Sequence, residues 1–90
     1  MDSFEWDWVK AEANFAKHRI DFRDAVRLFD ADHFTYRSHI GTEERFVSVG
    51  LLQGLLVAVV WTLRGFEVRR IISARRARRG EAEYYRKGLG

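Results

Sequence analysis

The spacing of apolar and polar positions changes along this chain, and each change predicts an element. Phe4, Glu5 and Trp6 read as a short first strand. Asp7 is suited to cap a helix over residues 8–18, because a carboxylate there accepts an otherwise unpaired N–H of the first turn. Trp6 ahead of that cap and Ala11 at the fourth helical position form a hydrophobic staple. Val9, Ala13 and Ala16 share one stripe of this helix, and Trp8, Ala11, Phe15 and His18 share another, so the helix is covered on more than one side. Asp21 caps a second helix. In it Phe22, Ala25, Val26 and Phe29 recur at i, i+3, i+4 and i+7, the clearest helical pattern in the chain, and Asp30-Ala31-Asp32 ends it. Residues 33–39 predict a short edge strand or a loop.

The period then shortens to two. Residues 45–52 and 55–62 predict strands joined by a turn at Gln53-Gly54, and the second is nearly all apolar, as befits a strand buried on both faces. A turn over residues 63–66, through Gly65, leads to a third strand over residues 67–73. Strict alternation along it places Arg70, Ile72 and Ala74 on one face and Arg69, Ile71 and Ser73 on the other. Ser73 is the natural cap of a last helix, which runs from residue 73 or 74 to about Lys87, is interrupted by Gly80 and frays at Gly88-Leu89-Gly90. The order β-α-α-β-β-β-β-α predicts an α+β fold: an antiparallel sheet of about four strands, flanked by two N-terminal helices and one C-terminal helix. Residues 47–63 also invite comparison with a membrane span. Their 17 positions reach only the lower edge of spanning length, and Gln53-Gly54, Gly50 and the many valines favour a hairpin.

Composition narrows the chemistry. Ninety residues suit one domain, 1–90. With no cysteine the chain can form neither a disulfide nor a thiolate zinc site, and with no proline nothing forbids regular structure. Met1-Asp2-Ser3-Phe4-Glu5 lacks the basic and apolar regions of a secretory signal, so a cytoplasmic location is expected. Charge is uneven: residues 1–63 carry seven Lys/Arg against ten Asp/Glu, a net of −3, and residues 64–90 carry nine against three, a net of +6. Such a split implies two partner surfaces, or attraction between the two halves.

Candidate chemistry concentrates in that basic third. No phosphate-cradling glycine loop and no nucleophile elbow is present. His18, His33 and His39 are too scattered for a metal triad, and Glu43-Glu44 and Asp30-Ala31-Asp32 read better as solvated turn residues, so neither a metal nor another cofactor is expected. Arg64, Arg69, Arg70, Arg75, Arg76, Arg78 and Arg79 fall within sixteen positions. On the last helix Arg78, Glu81 and Tyr85 share a stripe at i, i+3 and i+7, and Arg75 and Arg79 are spaced i, i+4. Guanidinium groups stay charged and grip phosphates in a planar fork, so the cluster can hold an RNA backbone and stabilise charge that develops on a phosphorane. The plainer alternative is a solvated basic helix or a docking surface, with Glu81 and Arg78 a surface pair and Tyr85 packed on the sheet.

Phe4-Glu5-Trp6-Asp7, Lys10, Asn14 and Lys17-His18 look like the opening signature of the BrnT toxins, and Phe22, Ala25 and Phe29 resemble that family's next block. Glu43-Glu44-Arg45-Phe46, loosely anchored by Gly41, resembles a G-E-x-R-F stretch. The fullest match is Arg70-Ile71-Ile72-Ser73-Ala74-Arg75-Arg76-Ala77 followed by Glu81 and Tyr85. Departures are Arg19, where the family usually has glycine, Gly80, where a charged residue is usual, and an interval from Arg64 to Arg70 one residue longer than common. The resemblance implies a RelE-like fold and a ribonuclease toxin of a type II toxin–antitoxin module, which cleaves RNA, inhibits translation and is neutralised by a BrnA-type antitoxin. It implies a hetero-oligomer that meets DNA only through the antitoxin, and metal-independent cleavage by arginine, lysine and tyrosine side chains. Because the third strand runs directly into the last helix, and Glu81 and Tyr85 lie one turn apart on it, Arg64, Arg70, Arg75, Glu81 and Tyr85 are expected to surround the scissile phosphate. Lys10, Arg45, Arg69, Arg76 and Arg79 are the expected RNA-binding residues. The alternative function is a non-catalytic module that binds an antitoxin-like partner or RNA through the basic C-terminal third.

Overall fold

A computed structural model describes residues 3–39 and 41–88. Strand β1 (Ser3–Glu5) leads into helix α1 (Trp8–His18), the short helix α2 (Phe22–Ala25) and a 3-10 turn (Val26–Asp30). Strands β2 (His33–Ser38), β3 (Arg45–Leu52), β4 (Leu55–Arg64) and β5 (Val68–Arg76) follow, and helix α3 (Arg79–Gly88) closes the order. The fraying expected at Leu89 and Gly90 lies outside the described residues.

Both expected caps form. Asp7 accepts from the Val9 N–H at 2.8 Å and Asp21 from the Arg23 N–H at 2.8 Å. The second helix is not continuous: it tightens into 3-10 geometry at Val26, which brings Leu28 into the core. Gln53 and Gly54, both at positive φ, make the hairpin turn between β3 and β4. Residues 47–63 are therefore a hairpin, and among the described residues no helix is long and apolar enough to cross a membrane. Gly50 lies within β3, where it breaks nothing. A Cβ there would stand 2.9 Å from the Asp32 carbonyl oxygen, so its absence lets the chain entering β2 pass close over the strand.

The sheet has five strands in the order β1-β5-β4-β3-β2, one more than expected, and it is mixed. β1 pairs parallel to β5, with Glu5 opposite Arg70, while the other three pairings are antiparallel. β1 covers only Val68–Arg70 of its neighbour. Beyond it, the buried Asn14 of α1 takes the place of a strand: its Nδ2 donates to the Ala74 and Ile20 carbonyls, and its Oδ1 accepts from the Ala74 N–H. That exchange explains why β5 continues to Arg76 rather than giving way to a helix at Ser73. Ser73 and Ala74 are paired with Val60 and Val59, and a strand with both edges satisfied outweighs the helical preference of an Ala/Arg run. α3 begins six residues later than expected, at Arg79, and Gly80 falls in its first turn, where N–H groups have no helical partner to lose.

The two sheet faces differ. On one, α1, α2 and the 3-10 turn bury Phe22, Leu28, Val57, Val59, Trp61, Ile71 and Ala74. On the other, α3 lays Tyr85 against Val47, Val49 and Ala58 and covers only part of the surface. A bulge in β5 sets which arginines reach the α3 face. Val60 faces Ser73 while Trp61 faces Ile71, so Ile72 is the extra residue. The bulge overturns the strict alternation: Arg70, Ser73 and Arg75 share the face of Thr62, Val60 and Ala58, and Arg69, Ile71 and Ala74 share the opposite one.

Candidate functional site on the α3 face

Glu81 is the centre of the most connected polar group on this face. Standing third in α3, it reaches back to accept the Arg78 N–H at 2.8 Å, which closes the helix start as half of a capping box. Its two oxygens also take both arms of Arg75, Nη1 to Oε1 at 2.8 Å and Nη2 to Oε2 at 3.0 Å, and the Tyr36 hydroxyl donates to Oε2. The pair is largely enclosed, with side chains 15% (Arg75) and 9% (Glu81) exposed. Burial pushes the Glu81 carboxyl upward, but the bonds from Arg75, the Arg78 N–H and Tyr36 outweigh it and hold the group at about 2. Glu81 is thus a fixed anion and not a base poised near neutrality. Burial, together with the Glu81 anion, raises the Tyr36 phenol, so Tyr36 stays a donor. Glu81 raises the Arg75 guanidinium further, so Arg75 stays cationic.

A second group lies at the far end of the same face. Glu5 of β1 accepts from Arg70 Nη1 at 2.7 Å and stands 3.6 Å from Arg64 Nε. This pair is more open than the first, with Arg70 29% exposed. Five residues separate Arg70 from Arg75, on the order of 15 Å of strand. The five residues expected to be catalytic therefore divide. Arg75 joins Glu81, and Arg64 joins Arg70 through Glu5. Tyr85 is buried beneath α3 against the sheet.

The expected RNA-binding residues are more dispersed. Arg45 begins β3 with Glu43 at 3.6 Å, and alternation with Val47 turns it toward the α3 face. Lys10 is exposed on α1, which packs on the other face. Arg69 points to that other face, its guanidinium 4.5 Å from the Phe29 ring centre and 4.9 Å from that of Trp61. Arg76, at the end of β5, lines a hollow beside the β3–β4 turn. Arg79 is open to solvent with Glu83 at 3.3 Å.

Tyr36 and Glu5 were given no role by the sequence. For Tyr36 a signal existed: Phe34 and Tyr36 alternate within the segment read as an edge strand or loop, which puts both on one face. Glu5 stood within the opening signature, but its partners lie at the other end of the chain. Among the described residues no three His, Cys, Asp or Glu side chains gather as metal ligands do. His33 bonds the Ala31 carbonyl and meets the Phe29 ring edge-on, away from this face.

The family model described as "Ribonuclease toxin, BrnT, of type II toxin-antitoxin system" matches residues 6–81. The crystal structure of the Brucella abortus ribonuclease toxin BrnT superposes with a TM-score of 0.66 at 28% identity, covering 88% of this chain and 100% of that one. No curated protein sequence matches the chain. The family match and the shared fold together place this chain in the BrnT family, the ribonuclease toxins of type II toxin–antitoxin systems.

Proposed function

We propose that this toxin cuts RNA on the α3 face of its sheet without a metal ion, and that a BrnA-type antitoxin silences it in the cytoplasm by covering that face. The observation that carries the reading is the network joining Arg75, Glu81 and Tyr36. A guanidinium has five N–H bonds; Glu81 engages two of those on Arg75 and the Arg76 carbonyl a third, which fixes the plane of the group and leaves the remaining N–H bonds for phosphate oxygens. The ribose 2′-oxygen attacks the adjacent phosphorus, the bond to the 5′-oxygen breaks, and the 2′-proton is balanced by one gained at the departing 5′-oxygen. The products are a 2′,3′-cyclic phosphate and a 5′-hydroxyl. Arg75 neutralises the charge that grows on the non-bridging oxygens, the kind of interaction that strengthens in the transition state. Glu81 and Tyr36 are positioning residues in this scheme. Arg70, Arg64 and Arg45 hold the backbone farther along, and Tyr85 supports α3 from beneath.

The test is to incubate the purified chain with RNA in excess EDTA and analyse the ends produced. Cleavage that survives chelation and leaves cyclic phosphate is expected. Cleavage abolished by EDTA, or products ending in a 3′-hydroxyl, contradict the scheme. One observation favours the alternative of a non-catalytic docking module: Arg64, Arg70 and Arg75 each already face a carboxylate. That reading is right if the purified chain cuts no RNA but binds its partner.

A further inference from the structure

Beside the Arg75–Glu81 pair, between the edge strand β2 and helix α3, lies a cleft of about 380 Å³ lined by Phe34, Thr35, Tyr36, Gly80, Glu81 and Tyr84. We infer that this cleft receives an unstacked base of the RNA strand, next to the phosphate held by Arg75. The inference rests on the proposed RNA cleavage and adds what part of the substrate is recognised, and how.

Three observations carry it. The first is aromatic surface left exposed. The Phe34 ring centre is 4.7 Å from that of Tyr84 and 6.3 Å from that of Tyr36, yet Tyr84 is 65% exposed and Tyr36 39%. α3 buries Glu81 and Tyr85, so Tyr84 stands off the stripe that anchors the helix. The second is room: a side chain begun at Gly80 would meet nothing within 4 Å, and the volume falls in the range of small-ligand sites. The third is continuity. Glu81 walls the cleft and holds Arg75, and Tyr36, which also walls the cleft, donates to Glu81, so a phosphate at Arg75 carries its own nucleoside to the cleft's edge.

Apart from the Tyr84 hydroxyl, the cleft's polar side-chain groups are already engaged. Thr35 Oγ1 bonds Ser48 Oγ at 2.7 Å, and Glu81 serves Arg75, Arg78 and Tyr36. Recognition is therefore by stacking, which every base supports, and base identity matters little. A base held in a duplex cannot enter, so the cleft selects single-stranded RNA over paired RNA. An apolar side chain of a partner protein is the competing occupant. The base is favoured because the cleft adjoins the Arg75 guanidinium through Glu81, and a nucleotide brings its phosphate with its base.

The test is binding, measured by fluorescence anisotropy on the full chain with a 2′-O-methylated single-stranded oligonucleotide, which lacks the attacking hydroxyl. Loss of stacking on one aromatic is expected to weaken binding by Tyr84→Ala roughly 5- to 150-fold. Tyr84→Phe keeps wild-type affinity. An abasic strand binds the wild type and Tyr84→Ala equally. Equal affinity of wild type and Tyr84→Ala for the base-bearing strand overturns the inference. So does an equal loss with the abasic strand, or a loss confined to binding of the antitoxin. If Arg75→Ala cuts RNA at the wild-type rate, the catalytic reading fails while the anisotropy result still decides the cleft.

Discussion

At the scale of single residues, one carboxylate sets the character of the site. Glu81 accepts from Arg75 twice, from the Arg78 N–H and from the Tyr36 hydroxyl, and its carboxyl sits at about 2 against an ordinary 4.5. A folded-state value below the unfolded one means that the ionised network stabilises the fold fully above the unfolded value and is lost as pH falls through the folded one. The contribution is about 3 kcal/mol at neutral pH and disappears between pH ~4.5 and ~2. Glu81→Gln is therefore expected to flatten the acid limb of the stability curve in that window, as read by urea unfolding at a series of pH values. An unchanged slope shows that the network contributes no such term. Arg19 carries a second residue-scale prediction. It ends α1 at φ 60°, ψ 29°, the left-handed region, donating its N–H to Phe15 O at 2.8 Å. The sequence comparison marked this position because glycine is usual there, and the geometry supplies the reason. A side chain in that region is disfavoured by about 1–2 kcal/mol, so Arg19→Gly should raise the melting temperature by several degrees. No rise in a thermal melt counts against the backbone assigned to that cap.

At the scale of elements, the features legible in the sequence were those with local causes. Asp7 and Asp21 cap the helices they were expected to cap, and Gln53-Gly54 turns the hairpin. What the sequence hid depends on partners far along the chain. The short strand at β1 is legible, but its parallel pairing with residues 68–70 is not. The bulge at Ile72 is a property of how β5 meets β4, and it alone puts Arg70 and Arg75, an odd number of positions apart, on one face. The late start of α3 has the same origin, since Asn14 completes the β5 edge from sixty positions away. Only part of the site was visible for that reason: Arg75 and Glu81 are near in sequence, but Tyr36 lies 45 positions from Glu81. Asn14→Ala leaves the Ala74 N–H and carbonyl buried without their partner and is expected to destabilise the fold by roughly 2–3 kcal/mol in chemical denaturation. A change within a few tenths shows that the edge of β5 finds other partners.

At the scale of the whole molecule, the mixed sheet separates packing from chemistry. α1, α2 and the 3-10 turn cover one face with a continuous aromatic and aliphatic core, and Arg69 is drawn into it over the Phe29 and Trp61 rings. α3 covers the other face in part, with the Arg75–Glu81 pair largely enclosed and the Arg70–Glu5 pair more open. The acidic front of the chain meets its basic third there, where Glu5 faces Arg64 and Arg70. The central claim is that Arg75, held by Glu81 and Tyr36, stabilises the transition state of RNA cleavage. The measurement that meets it most directly is the single-turnover cleavage rate of purified Arg75→Ala on RNA, with folding verified by circular dichroism and antitoxin binding intact. Removing one such donor from a transition state costs roughly 100- to 1,000-fold in rate, and a loss of that order is the expected result. A folded Arg75→Ala protein that cuts RNA at the wild-type rate contradicts it.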